Sequence, residues 1–278
     1  MPVLIYSTCT DKQVYPCHPR LRRLKLLKKM EMSDNHIIEF KDVHKSFNGL
    51  PVHRGISFCV KEGEILSLIG GSGSGKSVLL KELIGLLKPD SGNIFVMGRD
   101  VARMEEEELL EIRKHVGMLF QGAALFDSLT VFENIAYPLL EHSKMGWLEI
   151  RRKVAEKLRL VGLEGIEEKL PEELSGGMKK RVGLARAIAT DPKILLYDEP
   201  NTGVDPINAR KINDLMLDLR DKTGVTSIVV THDMYSVKMI TDRIVMLYEG
   251  RIIAEGTWKD FEHSSLKIVK DFLEGNIC

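Results

Sequence analysis

The chain has 278 residues, enough for one large domain with an inserted lobe, and its 40 Lys plus Arg balance 40 Asp plus Glu. That balance excludes a global field of one sign that would recruit nucleic acid or an anionic surface, so partners must be argued from local sites. Apolar runs such as 194–197 and 227–230 fall far short of the roughly 20 residues that a membrane-crossing helix needs, and no part of the chain is expected to span a bilayer.

Residues 1–32 differ from everything after them. Pro2, Pro16 and Pro19 punctuate them, and a dense basic stretch covers 20–29. They read as a tail, disordered or added by too early a start codon, because Met32-Ser-Asp-Asn opens a chain that looks whole without them. A basic amphipathic helix lying on a membrane is the functional alternative. With no uninterrupted apolar stretch before a small-residue cleavage site, the segment is not a secretion signal. The four cysteines, Cys9, Cys17, Cys59 and Cys278, form no C-x-x-C pair. Reduced thiols and a cytoplasmic protein are expected, with Cys59 buried in the alternating run 56–60.

From residue 37 the pattern is strand-like: 37–43, 56–60 and 64–69, separated by Asn48-Gly49 and Glu62-Gly63. A helix over 76–87 closes at Lys88-Pro-Asp-Ser-Gly92, followed by strand 93–97, a charged helix over 105–114 and strand 116–120. Between 122 and 190 only helices are expected, among them 147–161 and 176–189. Alternation then resumes with strand 194–197, helix 206–220, strand 226–231, helix 234–240, and strands 243–247 and 251–254. This order predicts an α/β fold: a mainly parallel sheet covered on both faces, antiparallel strands near its N-terminus, and an inserted helical lobe. Residues 264–275 place Leu266, Val269, Phe272 and Leu273 on one face of a terminal helix. That helix seals its own domain or, as the alternative, meets a sister or regulatory subunit.

Strand 64–69 runs into Gly70-Gly71-Ser72-Gly73-Ser74-Gly75-Lys76-Ser77-Val78, which opens a helix. This is the G-x-x-x-x-G-K-[ST] pattern in the strand, loop and helix context it requires. Glycines allow positive φ, so that backbone N–H groups turn inward around phosphate oxygens, and the helix N-terminus adds partial positive charge. Lys76 would reach the β- and γ-phosphates of ATP and Ser77 would hold Mg²⁺. The apolar run 194–197 ends in Asp198-Glu199, where a doubly wound sheet binds ligands. Asp198 would orient Mg²⁺ through its water shell, and Glu199 would polarise the attacking water, since phosphoryl transfer needs metal placement and an aligned nucleophile. Leu174-Ser175-Gly176-Gly177-Met178 precedes a second helix whose free N–H groups make another anion site.

With those motifs in place, the sequence from residue 37 to 256 resembles the ATP-binding cassettes of ABC transporters, a branch of the P-loop NTPases whose signature has the form L-S-G-G-Q. The resemblance implies a homodimer in which Ser175, Gly176 and Gly177 of one subunit close over the γ-phosphate held by the other. It also implies that Phe47 stacks on adenine and that Val78 belongs to the nucleotide contacts. Gln121 would sense the nucleotide, join the metal ligands and touch integral-membrane permease subunits. Asp205 would cross the dimer interface, and His232 would contact the γ-phosphate. Met178 stands where the family usually has Gln; the glycine N–H groups and the Ser175 hydroxyl make the phosphate contacts, so activity is expected to survive. The implied division is a cassette over 33–263, with its lobe at about 122–190, and a terminal helix over 264–278.

The run from Gln121 to Leu139 together with L-S-G-G-M resembles the ATPases of bacterial lipid importers, of the maintenance-of-lipid-asymmetry and mammalian-cell-entry kinds. That resemblance implies a subunit peripheral to the cytoplasmic face of the inner membrane, driving movement of phospholipid or a related lipid. A lipid-binding subunit and a small regulatory subunit would accompany it. One cassette with no basic groove argues against a soluble relative acting on DNA or ribosomes. The alternative is a single-cassette ATPase of a cell-division or other non-lipid membrane complex.

Overall fold

The computed structural model describes residues 36–276; the tail read at 1–32 and Cys9, Cys17 and Cys278 lie outside them. Strands β1 (His36–Phe47) and β2 (Leu50–Lys61) form a long hairpin whose turn residues, Asn48 and Gly49, have φ of 51° and 78°. This is the positive-φ pair of a two-residue turn that matches strand twist, and it carries both strands well beyond the expected 37–43 and 56–60. With β4 (Ser91–Val96) and β5 (Arg99–Asp100) they make an antiparallel sheet of order β2-β1-β4-β5. The period-2 alternation places Ile56, Phe58 and Val60 in the core and turns Cys59 to the opposite face. Cys59 is therefore only half-buried, correcting the expectation of a buried thiol, and it lies 3.4 Å from His36 Nε2.

The second sheet has the order β10-β9-β3-β8-β7-β6, built from β3 (Ile65–Ile69), β6 (Val116–Leu119), β7 (Ile194–Asp198), β8 (Thr226–Val230), β9 (Arg243–Tyr248) and β10 (Arg251–Gly256). All its pairings are parallel except that of β10 with β9. The expected mainly parallel sheet with an antiparallel N-terminal part is what the chain forms. Ile194 and Leu196 face one core with Leu66, Leu68, Ile228 and the small sheet, whereas Leu195, Tyr197 and Val229 face the helical lobe. Burial on both faces is why these strands read as continuous apolar runs.

Helix α1 (Lys76–Leu83) stops short of the expected 87. Gly85 takes φ 68°, and the N–H groups of Gly85 and Leu86 turn back to the carbonyls of Glu82 and Lys81, a glycine-terminated C-cap. After α2 (Glu106–Arg113), the lobe consists of α3 (Val131–His142), α4 (Trp147–Leu160) and α5 (Gly176–Ala187). It is packed through Val131, Ile135, Ile150, Val154, Leu158 and Val182. Helices α6 (Pro206–Thr223) and α7 (Met234–Ile240) cover the sheet. The short α8 (Trp258–Glu262) was not expected, although its capping box of Thr257 and Asp260 was legible. Helix α9 (Lys267–Leu273) buries Val269 and Phe272 against Val237, Ile244 and Met246 of its own chain. Among the described residues no helix is long and apolar enough to cross a membrane.

Candidate functional site

The loop between β3 and α1 is shaped by two glycines that tolerate no side chain. A Cβ on Gly70 (φ 145°) would meet Leu247 O at 2.2 Å, and one on Gly75 (φ 98°) would meet His53 Nε2 at 2.6 Å. The loop wraps a cavity of about 720 Å³ lined by Phe47, Gly70, Gly71, Ser72, Gly73, Ser74, Gly75, Lys76, Ser77, Val78, Gln121, Glu199 and His232. Residues from five chain segments far apart in sequence thus converge at the C-terminal ends of β3, β7 and β8, the position where open α/β sheets bind ligands.

Lys76 is 8% exposed, and its Nζ donates to Gly70 O at 2.7 Å, Gly71 O at 2.9 Å and Ser74 Oγ at 3.2 Å. Burial pushes its pKa down while Glu199 and Asp198 oppose the fall. The ammonium is therefore held at the loop's mouth by uncharged acceptors that leave its charge for a ligand. Ser77 Oγ donates to Asp198 Oδ1 at 2.8 Å across β8. A hydroxyl and a carboxylate are hard oxygen donors of the kind magnesium favours, and such sites complete their octahedra with phosphate and water. Among the described residues no cluster of three or more His, Cys, Asp or Glu is placed to hold a metal ion.

Glu199 has φ 50°, in the left-handed region that a non-glycine residue rarely occupies. Its Oε2 lies 2.9 Å from His232 Nδ1 and accepts from Thr202 Oγ1 at 3.2 Å. Sequence reasoning gave His232 and Glu199 separate tasks, and their direct contact, with Thr202 as a further support, emerges only in the fold. Phe47 ends β1 with 41% of its surface exposed and lines the cavity.

Ser175, Gly176, Gly177 and Asp205 do not line this cavity. Ser175 caps α5, accepting from Met178 N at 3.3 Å. Gly177 packs on Asn208, whose amide donates to Asp205 Oδ2 at 2.6 Å. Hydrogen bonds from the Asn208 side chain and from backbone N–H groups hold the Asp205 carboxyl below its ordinary range. Ser175–Gly177 and Asp205 thus form a second polar surface apart from the phosphate loop.

His53 is a site neighbour that sequence reasoning passed over. It is 1% exposed beneath the phosphate loop, with Nε2 3.1 Å from Gly75 O and Nδ1 3.0 Å from Glu82 Oε2. Asn134 is another: fully buried on α3, it accepts from Phe126 N at 2.9 Å and donates to Phe126 O, Leu129 O and Thr130 O at 3.0–3.1 Å. It thereby moulds the loop between Gln121 and the lobe.

A phosphate loop with its lysine, a Ser–Asp oxygen pair and a carboxylate at the end of a parallel strand define a nucleotide-hydrolysing P-loop protein. The family described as "ABC transporter" matches residues 53–202, more than half of the chain, and the chain belongs to that family as its ATP-binding, ATP-hydrolysing subunit. Among curated relatives it is 42% identical to a probable ribonucleotide transport ATP-binding protein, mkl, of Mycobacterium leprae, over 86% of this chain and 69% of that protein. It is 40% identical to the intermembrane phospholipid transport system ATP-binding protein MlaF of Haemophilus influenzae, over 87% of this chain and 92% of that one. A solved dimeric, post-hydrolysis ATP-binding cassette bound to ADP and Pi superposes with a TM-score of 0.75 at 32% identity, covering 79% of this chain and 98% of that chain. Dimeric cassettes with bound nucleotide are thus a state this architecture adopts, and membrane permease subunits are the partners of its family.

Proposed function

We propose that this cassette is the motor of a lipid transporter working at the cytoplasmic face of the inner membrane. The observation that carries the reading is the similarity to MlaF over nearly that protein's whole length, supported by L-S-G-G-M and the run following Gln121. The name of the mycobacterial relative, ribonucleotide transport, supplies the competing cargo.

In this reading Phe47 stacks on adenine, the backbone N–H groups of residues 70–78 surround the phosphates and Lys76 neutralises their charge. Ser77 and Asp198, joined by Gln121, would hold Mg²⁺, which when bound shields phosphate charge. Glu199 accepts a hydrogen bond from the attacking water, and His232, at 2.9 Å, holds the carboxylate and reaches the γ-phosphate. Ser175, Gly176, Gly177 and Asp205 complete the site of a second copy. Functionally, the chain divides into a cassette that ends at about residue 263, with its lobe at about 122–190, and a terminal segment that carries α9. A permease element docks in the groove of about 330 Å³ lined by Met118, Phe126, Tyr137, Pro138 and Arg186; Leu140, Trp147 and Leu148 are further exposed apolar side chains of the lobe.

The test is purification of the tagged chain from detergent-solubilised native membranes, followed by reconstitution. A permease with a lipid-binding subunit, a small regulatory subunit and ATP-dependent transfer of fluorescent phospholipid between vesicles is the expected result. Ribonucleotide-stimulated ATPase without lipid transfer, or co-purification with division proteins, would overturn the lipid assignment. Replacing Phe126 and Phe132 with Asp should release the chain from the membrane complex with its ATP affinity intact.

A further inference from the structure

Lys180 is a buried lysine to which the roles above give no task. It lies on α5, five residues after the Ser175 cap, and is 5% exposed. Its ammonium donates to Glu199 O at 3.0 Å and to Gln121 O. One side chain of the signature helix therefore holds the backbone of the strand end that carries Glu199 and of the loop that carries Gln121.

The same helix face continues the grip at i+3 spacing. At Gly183 an added Cβ would stand 3.0 Å from Leu119 Cδ1 and 3.3 Å from Ala123 O, so helix and loop touch. Arg186 donates to Ala123 O at 2.8 Å and to Ala124 O at 2.7 Å. The backbone being held needs outside support: Glu199, Ala123 and Ala124 have φ of 50°, 61° and 48°, in a region where a Cβ crowds the following carbonyl. Desolvation lowers the pKa of Lys180 against the opposing pull of Glu199 and Asp198. A methionine would fill the same space without burying a charge, so packing alone does not account for a lysine here.

The geometry points to Lys180 as a positioning residue that ties the signature helix to the backbone of Glu199 in the same chain. Engagement of Ser175 and Gly177 by the partner's nucleotide then reaches this chain's own hydrolytic centre. A helix is a stiff rod, so a shift at its N-terminus carries the Lys180 ammonium with it. The carbonyl it holds belongs to the residue whose carboxylate must be aligned with water, and a displacement of about 1 Å at a reacting centre can cost on the order of 10²-fold in rate. This inference rests on the proposed role of Glu199.

The test measures phosphate release, ATP affinity and thermal melting of the full-length chain as wild type, K180M, K180R and E199Q. Expected for K180M is a fall in kcat of about tenfold or more with the Kd for ATP within about twofold, and recovery of most of that loss in K180R, which restores donors at the same reach. Wild-type turnover by K180M, a loss of ATP affinity matching the loss of kcat, or K180R no better than K180M would overturn the proposal. If K180M melts too low to assay, K180Q, which keeps an amide donor, is judged by the same split. E199Q keeps the two readings apart. Near-normal hydrolysis by E199Q removes the catalytic role itself, whereas an inactive E199Q beside a fully active K180M removes only the role of Lys180.

Discussion

Replacing Glu199 by Gln separates binding from hydrolysis. The carboxylate side chain is 14% exposed and has two side-chain neighbours, His232 Nδ1 at 2.9 Å and Thr202 Oγ1 at 3.2 Å. A Gln amide has the same size, and its oxygen, standing where Oε2 stands, can still accept from Thr202 Oγ1 and from a His232 Nδ1–H, so the fold and the left-handed backbone should survive. What disappears is the negative charge that polarises water. A general base is typically worth ~10²-fold or more, which is about 2.7 kcal/mol of transition-state stabilisation. Nothing about Lys76 or the Ser77–Asp198 pair changes, so ATP should still bind, and with hydrolysis blocked the two copies should stay closed over nucleotide. The assay pairs phosphate release with sizing chromatography in ATP. Turnover should drop about a hundredfold and an ATP-dependent dimer should appear. That dimer should be absent in Lys76→Ala and abolished by adding Ser175→Arg. Near-normal hydrolysis, or a dimer indifferent to ATP, would refute the reasoning.

Lys76→Ala removes a charge that attracts phosphate in the ground state as well as the transition state, so Kd for ATP and turnover should worsen together, as equilibrium binding and steady-state rates would show. Asn134→Ala leaves partly buried backbone groups of Phe126, Leu129 and Thr130 without their side-chain partner. It should cost about 3 kcal/mol in urea unfolding, with amide exchange accelerated across 121–130; an unchanged midpoint would count against this. The Asp90 carboxyl is held at about 2 by hydrogen bonds from the Ser46 hydroxyl and the Lys45 ammonium. A depressed folded-state pKa stabilises above the ordinary Asp value of about 3.9 and is lost as pH falls toward 2. Melting curves of wild type and Asp90→Asn should therefore differ at pH 5 and converge near pH 2.

Much of the molecule was legible because some local demands have few solutions. Only Gly-rich backbone can turn its N–H groups around phosphate, so residues 70–77 announced themselves. Strands buried on both faces read as apolar runs, which located β3, β7 and β8 to within a residue or two. Helix ends were less visible: α1 stops where Gly85 adopts positive φ, yet the apolar pattern runs on to Leu87. The burial of Cys59 was misjudged because a strand's alternation does not say which phase faces the core, and only the pairing of β1 with β2 and β4 settles that.

The sequence by itself determined the phosphate loop, the succession of strands and helices and the kinship, because each depends on neighbours along the chain. Only the tertiary structure decided that Ser77 meets Asp198, that His232 meets Glu199, and that Lys180 reaches Gln121 and Glu199 at once. Those contacts join residues from 19 positions apart, Lys180 with Glu199, to 121 apart, Ser77 with Asp198. Hydrogen bonds form over about 3 Å, so which distant residues share one is fixed by how sheets and helices stack, and no local pattern carries that information.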